Sequence, residues 1–348
     1  MRILLSADAE IPVPPDLYGG IERIVDSLIT RFRELGHEVG LLAHRDSKSS
    51  CSHFYPWPSP TSTQIEHSFR NALALREAAN SFKPDVLHSF SRLAWLTPLV
   101  FPGTYREFPI LMSYQREPTG RTISWSRRIH GERLRFTACS EQLARKGRLR
   151  GGGDWKAVPN FVDLKQFTFV SEIPPDAPIL FLSRVEEIKG AHWAVEIARK
   201  SKRKLIIAGN RPEGQLHRSF WNKKITPHID GDQIRYVGPV NNQMKNELLG
   251  QAAAMVVPIQ WDEPFGIVFA EALACGTPVI SCPRGALPEI INQTSIGKLV
   301  RTIDEGVEAV GSILNFNREQ CRRHVEECYS LDVVSQRYLD LYQFSISR

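Results

Sequence analysis

Residues 261–289 read WDEPFGIVFAEALACGTPVISCPRGALPE, and this stretch decides the fold. Glu263 stands just before Pro264-Phe265-Gly266, and a second carboxylate, Glu271, follows. Proline opens helices well, because its φ is preset and the first turn does not need its missing N–H. Gly266 leaves the backbone bare, and the apolar spacing after it predicts an amphipathic helix over 267–274. Cys275-Gly276-Thr277-Pro278 closes that helix, and Val279-Ile280-Ser281 predicts a short buried strand. Bare N–H groups at a helix start attract phosphate, and carboxylates accept hydrogen bonds from sugar hydroxyls. The bland alternative for Glu271 is a solvated position on an ordinary helix of an α/β domain.

Working outward, the same strand–helix alternation fills the second half of the chain. Strands are expected at 179–182, 204–208, 234–237, 254–257, 279–281 and 298–300. Helices near 191–200, 241–251, 266–274, 303–314 and 318–329 alternate with them, the pattern of a parallel, doubly wound sheet. The first half opens with a strand at 2–6 and a loop stiffened by Pro12, Pro14 and Pro15. Tyr18-Gly19-Gly20 ends that loop, and Ile21, Ile24, Val25, Leu28, Ile29 and Phe32 mark a helix from Gly20 to about Leu35. A strand at 38–43 follows. Glycines at such a helix start suit phosphate binding, although the GxGxxG dinucleotide fingerprint is absent. Residues 46–63, rich in Pro and Ser, read as loop, and 64–82 as helix. Further strands are expected at 84–90, 110–113, 136–138 and 155–159.

Residues 159–163 and 173–176 read as linker. The expectation is an α/β protein of two Rossmann-like, doubly wound domains, 1–165 and 166–330, facing each other across a cleft. The aromatic final helix, with Tyr338, Tyr342 and Phe344, lies within 331–348 and is expected to pack back on the first domain.

At 348 residues, 42% hydrophobic and 24% charged, the chain has room for two such cores. No apolar run approaches the roughly 18 residues that span a bilayer, and the start lacks the apolar region of a signal peptide. Six scattered cysteines without a CxxC pair fit reduced thiols in cytoplasm better than disulfides or zinc. The net charge of +6 is uneven: between Arg116 and Arg150, ten Lys/Arg stand against three Glu. That stretch could touch an anionic membrane or acidic acceptor, or be a solvated surface. No nucleic-acid-binding signature is present.

Arg184 and Lys189 leave a strand in the run LSRVEEIKG, where two cations can neutralise a diphosphate both bound and departing. A surface salt-bridge cluster with Glu186 and Glu187 is the alternative. Gly209 and Val237 follow or end strands and could line a nucleobase pocket, or be plain βα turns. Asp230-Gly231-Asp232 superficially matches a metal-holding DxD but reads as a turn, so no metal is expected. His88 ends a strand and could hold a sugar hydroxyl or assist a proton; a packed histidine is the alternative.

Taken together, Glu263-Pro264-Phe265-Gly266 with Glu271 resembles the E-x7-E signature of the retaining family 4 glycosyltransferases, which have the GT-B fold. The likeness spans nearly the whole chain: Tyr18-Gly19-Gly20-Ile21-Glu22, Pro84-Asp85-Val86-Leu87-His88, Pro159-Asn160-Phe161-Val162-Asp163, Arg184 with Lys189-Gly190, and Gly276-Thr277-Pro278-Val279-Ile280 all match. The resemblance implies a metal-independent transfer from a nucleotide-diphosphate sugar, a UDP-sugar first, to a sugar, lipid or small-molecule hydroxyl. Gly19 and Gly20 would approach the donor phosphates, Arg184 and Lys189 would bind the diphosphate, and Glu263 the donor sugar. The backbone of Phe265, Gly266 and Ile267 would touch sugar and phosphate, and Glu271 would hold the ribose. The family often carries His-x-His where this chain has His88 and Phe90. Alternatives on the same fold are a non-catalytic nucleotide-sugar binder or scaffold, and an enzyme that isomerises or hydrolyses nucleotide sugars.

Overall fold

The computed structural model describes residues 1–15, 19–61, 64–105, 108–211 and 214–347. Tyr18, part of the glycine-loop match, lies outside them. The chain divides into two compact units, Met1–Asn160 with Leu331–Arg348, and Phe161–Ser330. The expected boundary at 165/166 sits slightly later, because Phe161 and Val162 are already buried and the Val162 amide bonds the Tyr329 carbonyl at 2.8 Å.

The first unit holds a seven-stranded sheet: β1 (Arg2–Ser6), β2 (Glu38–Ala43), β3 (His53–Pro56), β4 (Val86–Ser89), β5 (Ile110–Tyr114), β6 (Leu134–Ala138) and β7 (Trp155–Ala157). Their order is β3-β2-β1-β4-β5-β6-β7, and every pair is parallel. Such strands are covered on both faces, so they read as continuous apolar runs; β4, β5 and β6 are buried along their whole lengths. The strand β3 corrects the loop expected over 46–63. It is a mostly exposed edge strand paired only with β2, so its sequence carries no core pattern.

The last helix, Leu331–Ile346, belongs to this unit. It lies on the helix Gly20–Glu34, with the Phe32 and Tyr342 rings 5.8 Å apart and an Arg31–Asp332 ion pair at 2.8 Å.

The second unit has six strands: β8 (Ile179–Leu182), β9 (Leu205–Ala208), β10 (Ile234–Gly238), β11 (Ala254–Val257), β12 (Val279–Ser281) and β13 (Gly297–Leu299). They run in the order β10-β9-β8-β11-β12-β13, again all parallel. The segment after β9 forms a helix, Gln215–Phe220, a π-turn, Trp221–Ile225, and a 3-10 turn, Thr226–His228, none of them marked by the sequence pattern. Among the described residues, no helix is long and apolar enough to cross a membrane.

One half-buried arginine ties the second unit together. Arg318 donates to the carbonyls of Val170 at 2.7 Å, Ala252 at 3.0 Å and Gly250 at 2.8 Å, and to the Thr277 hydroxyl at 3.2 Å. Its planar fork satisfies three chain segments at once, which an ammonium point charge does less well. Arg318→Ala should lower stability by about 3 kcal/mol, because polar groups are left without partners, and Arg318→Lys should recover less than half. Chemical unfolding checks both.

Candidate functional site

Both sheets reverse their strand order once, and the second does so between β8 and β11. Open parallel sheets present polar side chains past the carboxyl ends of the strands at such a reversal. Here the loop after β8 carries Arg184 and Lys189, and the loop after β11 carries Trp261 and Glu263. Gly190 fits these loops together: its φ is +78°, and a Cβ on it would stand 2.0 Å from the Pro258 carbonyl oxygen. The Gln260 amide then bonds the Ile188 carbonyl at 2.8 Å.

That closeness brings Lys189 onto Glu263. The Lys189 Nζ is 2.6 Å from Glu263 Oε2, with the side chains only 11% and 14% exposed. Trp261 Nε1 donates to the same oxygen at 3.1 Å, and the ammonium lies 4.8 Å from the indole centroid. Gly285 backs the loop, since a Cβ there would meet the Glu263 backbone at 2.1 Å. Arg184 differs from Lys189: it is 56% exposed and pairs with Glu186 at 2.8 Å. The ion pair expected under the alternative reading of Arg184 is therefore present, while Lys189 points inward to Glu263.

Phe265 is buried with its ring 5.6 Å from that of Tyr329. Gly266, at φ +82°, begins the helix Ile267–Ala274, whose first turn has no side-chain cap. Glu271, on that helix, pairs with Lys245 at 2.6 Å. Lys245 was not singled out by sequence, because its partner lies across the fold and no local spacing marks it. Gly209 (φ +140°) passes so close to β8 that a Cβ would stand 1.9 Å from the Ser183 carbonyl oxygen. Its carbonyl accepts the Tyr236 hydroxyl at 2.8 Å, its amide bonds the Gly238 carbonyl at 2.8 Å, and Val237 lies in the same β10 end. Arg211 stacks over Trp221 and Tyr236 at 5.1 and 5.2 Å, a platform beside Gly209 that sequence reasoning missed.

Asp230 precedes β10 at its amino end, away from these residues, and its Oδ1 accepts the amides of Asp232 and Ile234 at 2.9 and 3.0 Å. A cavity of about 460 Å³ lies at the same amino edge, lined in part by Ile173, Asp176, Lys204 and Arg235. The charged residues converge at the other edge, past the carboxyl ends of the strands.

In the first unit, Gly20 opens the helix Gly20–Glu34 and Gly19 stands at φ +150°, where a Cβ would meet Pro15 at 2.7 Å and Glu22 Oε2 at 2.9 Å. His88 requires a correction. It is fully buried, with Nδ1 2.5 Å from the Tyr342 hydroxyl and Nε2 2.6 Å from Ser113 Oγ. Phe90, Tyr338 and Tyr342 pack around its ring at 4.3, 4.9 and 5.6 Å. Both nitrogens are engaged and no face reaches solvent, so His88 is not placed to meet an acceptor; it is a core histidine. The basic stretch is also divided. Arg135 is buried, Lys146, Arg148 and Arg150 pair with glutamates, and Arg121, Arg128 and Arg145 are exposed, as are Trp125 and Leu149.

Known proteins resemble this chain in sequence and fold. A family model described as Glycosyltransferase Family 4 matches residues 18–166, and one described as Glycosyl transferases group 1 matches residues 165–328. The chain belongs to the family 4 glycosyltransferases. A glycogen synthase of Mycobacterium tuberculosis is 26% identical, covering 90% of this chain and 86% of its own length. A glycosyltransferase from Rickettsia africae superimposes with a TM-score of 0.80 at 19% identity, covering 99% of this chain and 98% of that one. Anabaena HepE in complex with UDP-glucose superimposes with a TM-score of 0.72 at 13% identity, covering 98% and 99%. These structures establish the GT-B fold for the glycosyltransferase.

Two predictions follow from the geometry. Lys189→Met strands a mostly buried carboxylate and should cost about 3 kcal/mol, whereas Lys189→Met with Glu263→Gln should recover most of it; unfolding of the single and double variants measures the coupling. Burial holds the His88 imidazole down to about 3, below its ordinary 6.5. The unfolded chain therefore takes up this proton first, and its contribution to stability is complete above pH 6.5 and lost as pH falls toward 3. Unfolding free energy should carry a slope of about 1.4 kcal/mol per pH unit from this group below 6.5, and His88→Gln should be flatter there.

Proposed function

We propose that this enzyme is a retaining, metal-independent hexosyltransferase that takes a nucleotide-diphosphate sugar, a UDP-sugar first, and glycosylates a hydroxyl. The observation that carries this is the enclosed Lys189–Glu263 pair at the strand reversal, beside the uncapped start of the helix Ile267–Ala274. A cation and open helix amides suit a diphosphate, and an adjacent carboxylate suits sugar hydroxyls. The HepE complex, which contains UDP-glucose, supports the choice of donor class.

On this reading Lys189, with Arg184 at the rim, stabilises negative charge as the diphosphate departs. Glu263 holds the donor sugar, Glu271 the ribose hydroxyls, and the Phe265–Ile267 backbone touches sugar and phosphate. Gly209 and Val237 flank the base. The bond from the anomeric carbon to the phosphate oxygen breaks, and the acceptor oxygen bonds to the same face. The acceptor proton passes to the departing phosphate oxygen, so the step asks for no protein base, consistent with the enclosure of His88. Positive charge from Arg184, Lys189 and the helix start takes the part a divalent cation plays elsewhere.

Lys189→Ala should reduce transfer about 100-fold or more, and Arg184→Ala less because it is exposed. Turnover is read as nucleoside diphosphate released from a panel of UDP-, GDP- and ADP-hexoses, with donors first ranked by thermal stabilisation. Unchanged turnover in both variants would remove the leaving-group role.

A further inference from the structure

The sheet of the first unit reverses its order between β1 and β4. The residues that leave the sheet at that reversal and at the neighbouring strand β5 carry a different set of charges. Asp8 follows β1, Arg92 follows β4, and Arg116 follows β5. The Asp8 carboxylate lies between the two guanidinium groups, with Oδ2 2.9 Å from Arg116 Nη2 and Oδ1 3.4 Å from Arg92 Nε. Arg92 Nη2 is 3.5 Å from Glu10 Oε1. Glu22, buried on the first helical turn, interacts electrostatically with Asp8, Glu10 and Arg116. Burial pushes the carboxyl groups of Asp8 and Glu22 up.

Three observations separate this cluster from an ordinary surface ion pair. It is braced from below: Ser6 Oγ lies 3.0 Å from Ser89 Oγ and 3.1 Å from Ser91 Oγ, so the turn carrying Arg92 is set before a ligand arrives. The carboxylate is enclosed while the cations are open, Asp8 being 14% exposed against 41% for Arg92 and 57% for Arg116. Finally, Asp8 Oδ1 and Arg92 Nε are buried atoms close in distance, yet neither makes an aligned hydrogen bond among the described residues.

We propose that Asp8, Arg92 and Arg116 recognise the acceptor, and that they select an uncharged sugar or polyol over its phosphate ester. The inference rests on the proposed transferase reaction, with the donor held by the second unit. A hydroxyl both donates and accepts, so a carboxylate flanked by two guanidinium groups matches neighbouring hydroxyls of a ring. A phosphate ester would have to displace Asp8 from both arginines and then lie beside Glu10 and Glu22. Among the described residues, ion-pair and electrostatic contacts set the three carboxylates of Asp8, Glu10 and Glu22 around two guanidinium groups, so an added phosphate meets net repulsion that partial burial strengthens.

Saturation-transfer NMR on the nucleotide-free protein tests this with glucose, mannose, galactose and myo-inositol, each beside its monophosphate. At least one uncharged ligand should bind, and its monophosphate should bind more weakly. Asp8→Asn should weaken the uncharged ligand about tenfold, the loss of a hydrogen bond to a charged group, and narrow its advantage over the ester. Arg116→Gln, at an exposed position, should weaken it without disturbing the fold. Tighter binding of the esters, binding of neither class, or unchanged affinity in both variants would overturn the proposal. UDP-hexose stabilisation measured on the same proteins reports on the donor separately. It should be equal in wild type and variants, and its absence from wild type would count against the donor assignment alone.

Discussion

A sheet whose strands all run parallel is covered on both faces, and its backbone groups are satisfied sideways by neighbouring strands. Unpartnered charged side chains are then costly on the strands themselves, and charges gather past the strand ends. Where the strand order reverses, two loops diverge and leave room for them. Both units obey this constraint. In the second, it gathers Lys189, Trp261 and Glu263 from loops far apart in sequence; in the first, it gathers Asp8, Arg92 and Arg116.

The loops can use that room because glycine lets backbones approach. At Gly190, Gly209 and Gly285 a Cβ would stand within 2.1 Å of a neighbouring backbone atom. Two of these glycines bring the Glu263 loop and its neighbours into contact, which makes the Lys189–Glu263 distance short enough to offset the desolvation of both charges. The site is thus organised by backbone packing first and by electrostatics second.

The first unit shows the same chemistry turned to a structural use. His88 lies near the end of β4, where the sequence placed a strand end, yet Tyr338 and Tyr342 from the last helix close over it. Those tyrosines lie at the far end of the chain, so only their return decides whether the histidine faces solvent or core. Phe90 completes the apolar enclosure where a second imidazole would have asked for water or another hydrogen-bond partner.

The sequence by itself determined the two parallel α/β sheets, the family, the strand ends past which Arg184, Lys189 and Glu263 stand, and the helix that carries Glu271. Those features are written in local periodicity, in apolar strand runs and in spacing within one stretch, and local patterns survive without tertiary context. Only the tertiary structure decided which charges meet. Lys189 lies on Glu263, Lys245 on Glu271 and Asp8 on Arg116, each pair joining separate loops or helices. It also made an edge strand of β3, which pairing rather than composition creates, and a core residue of His88. Contacts between distant segments depend on how strands are ordered side by side, and no spacing within the chain encodes that order.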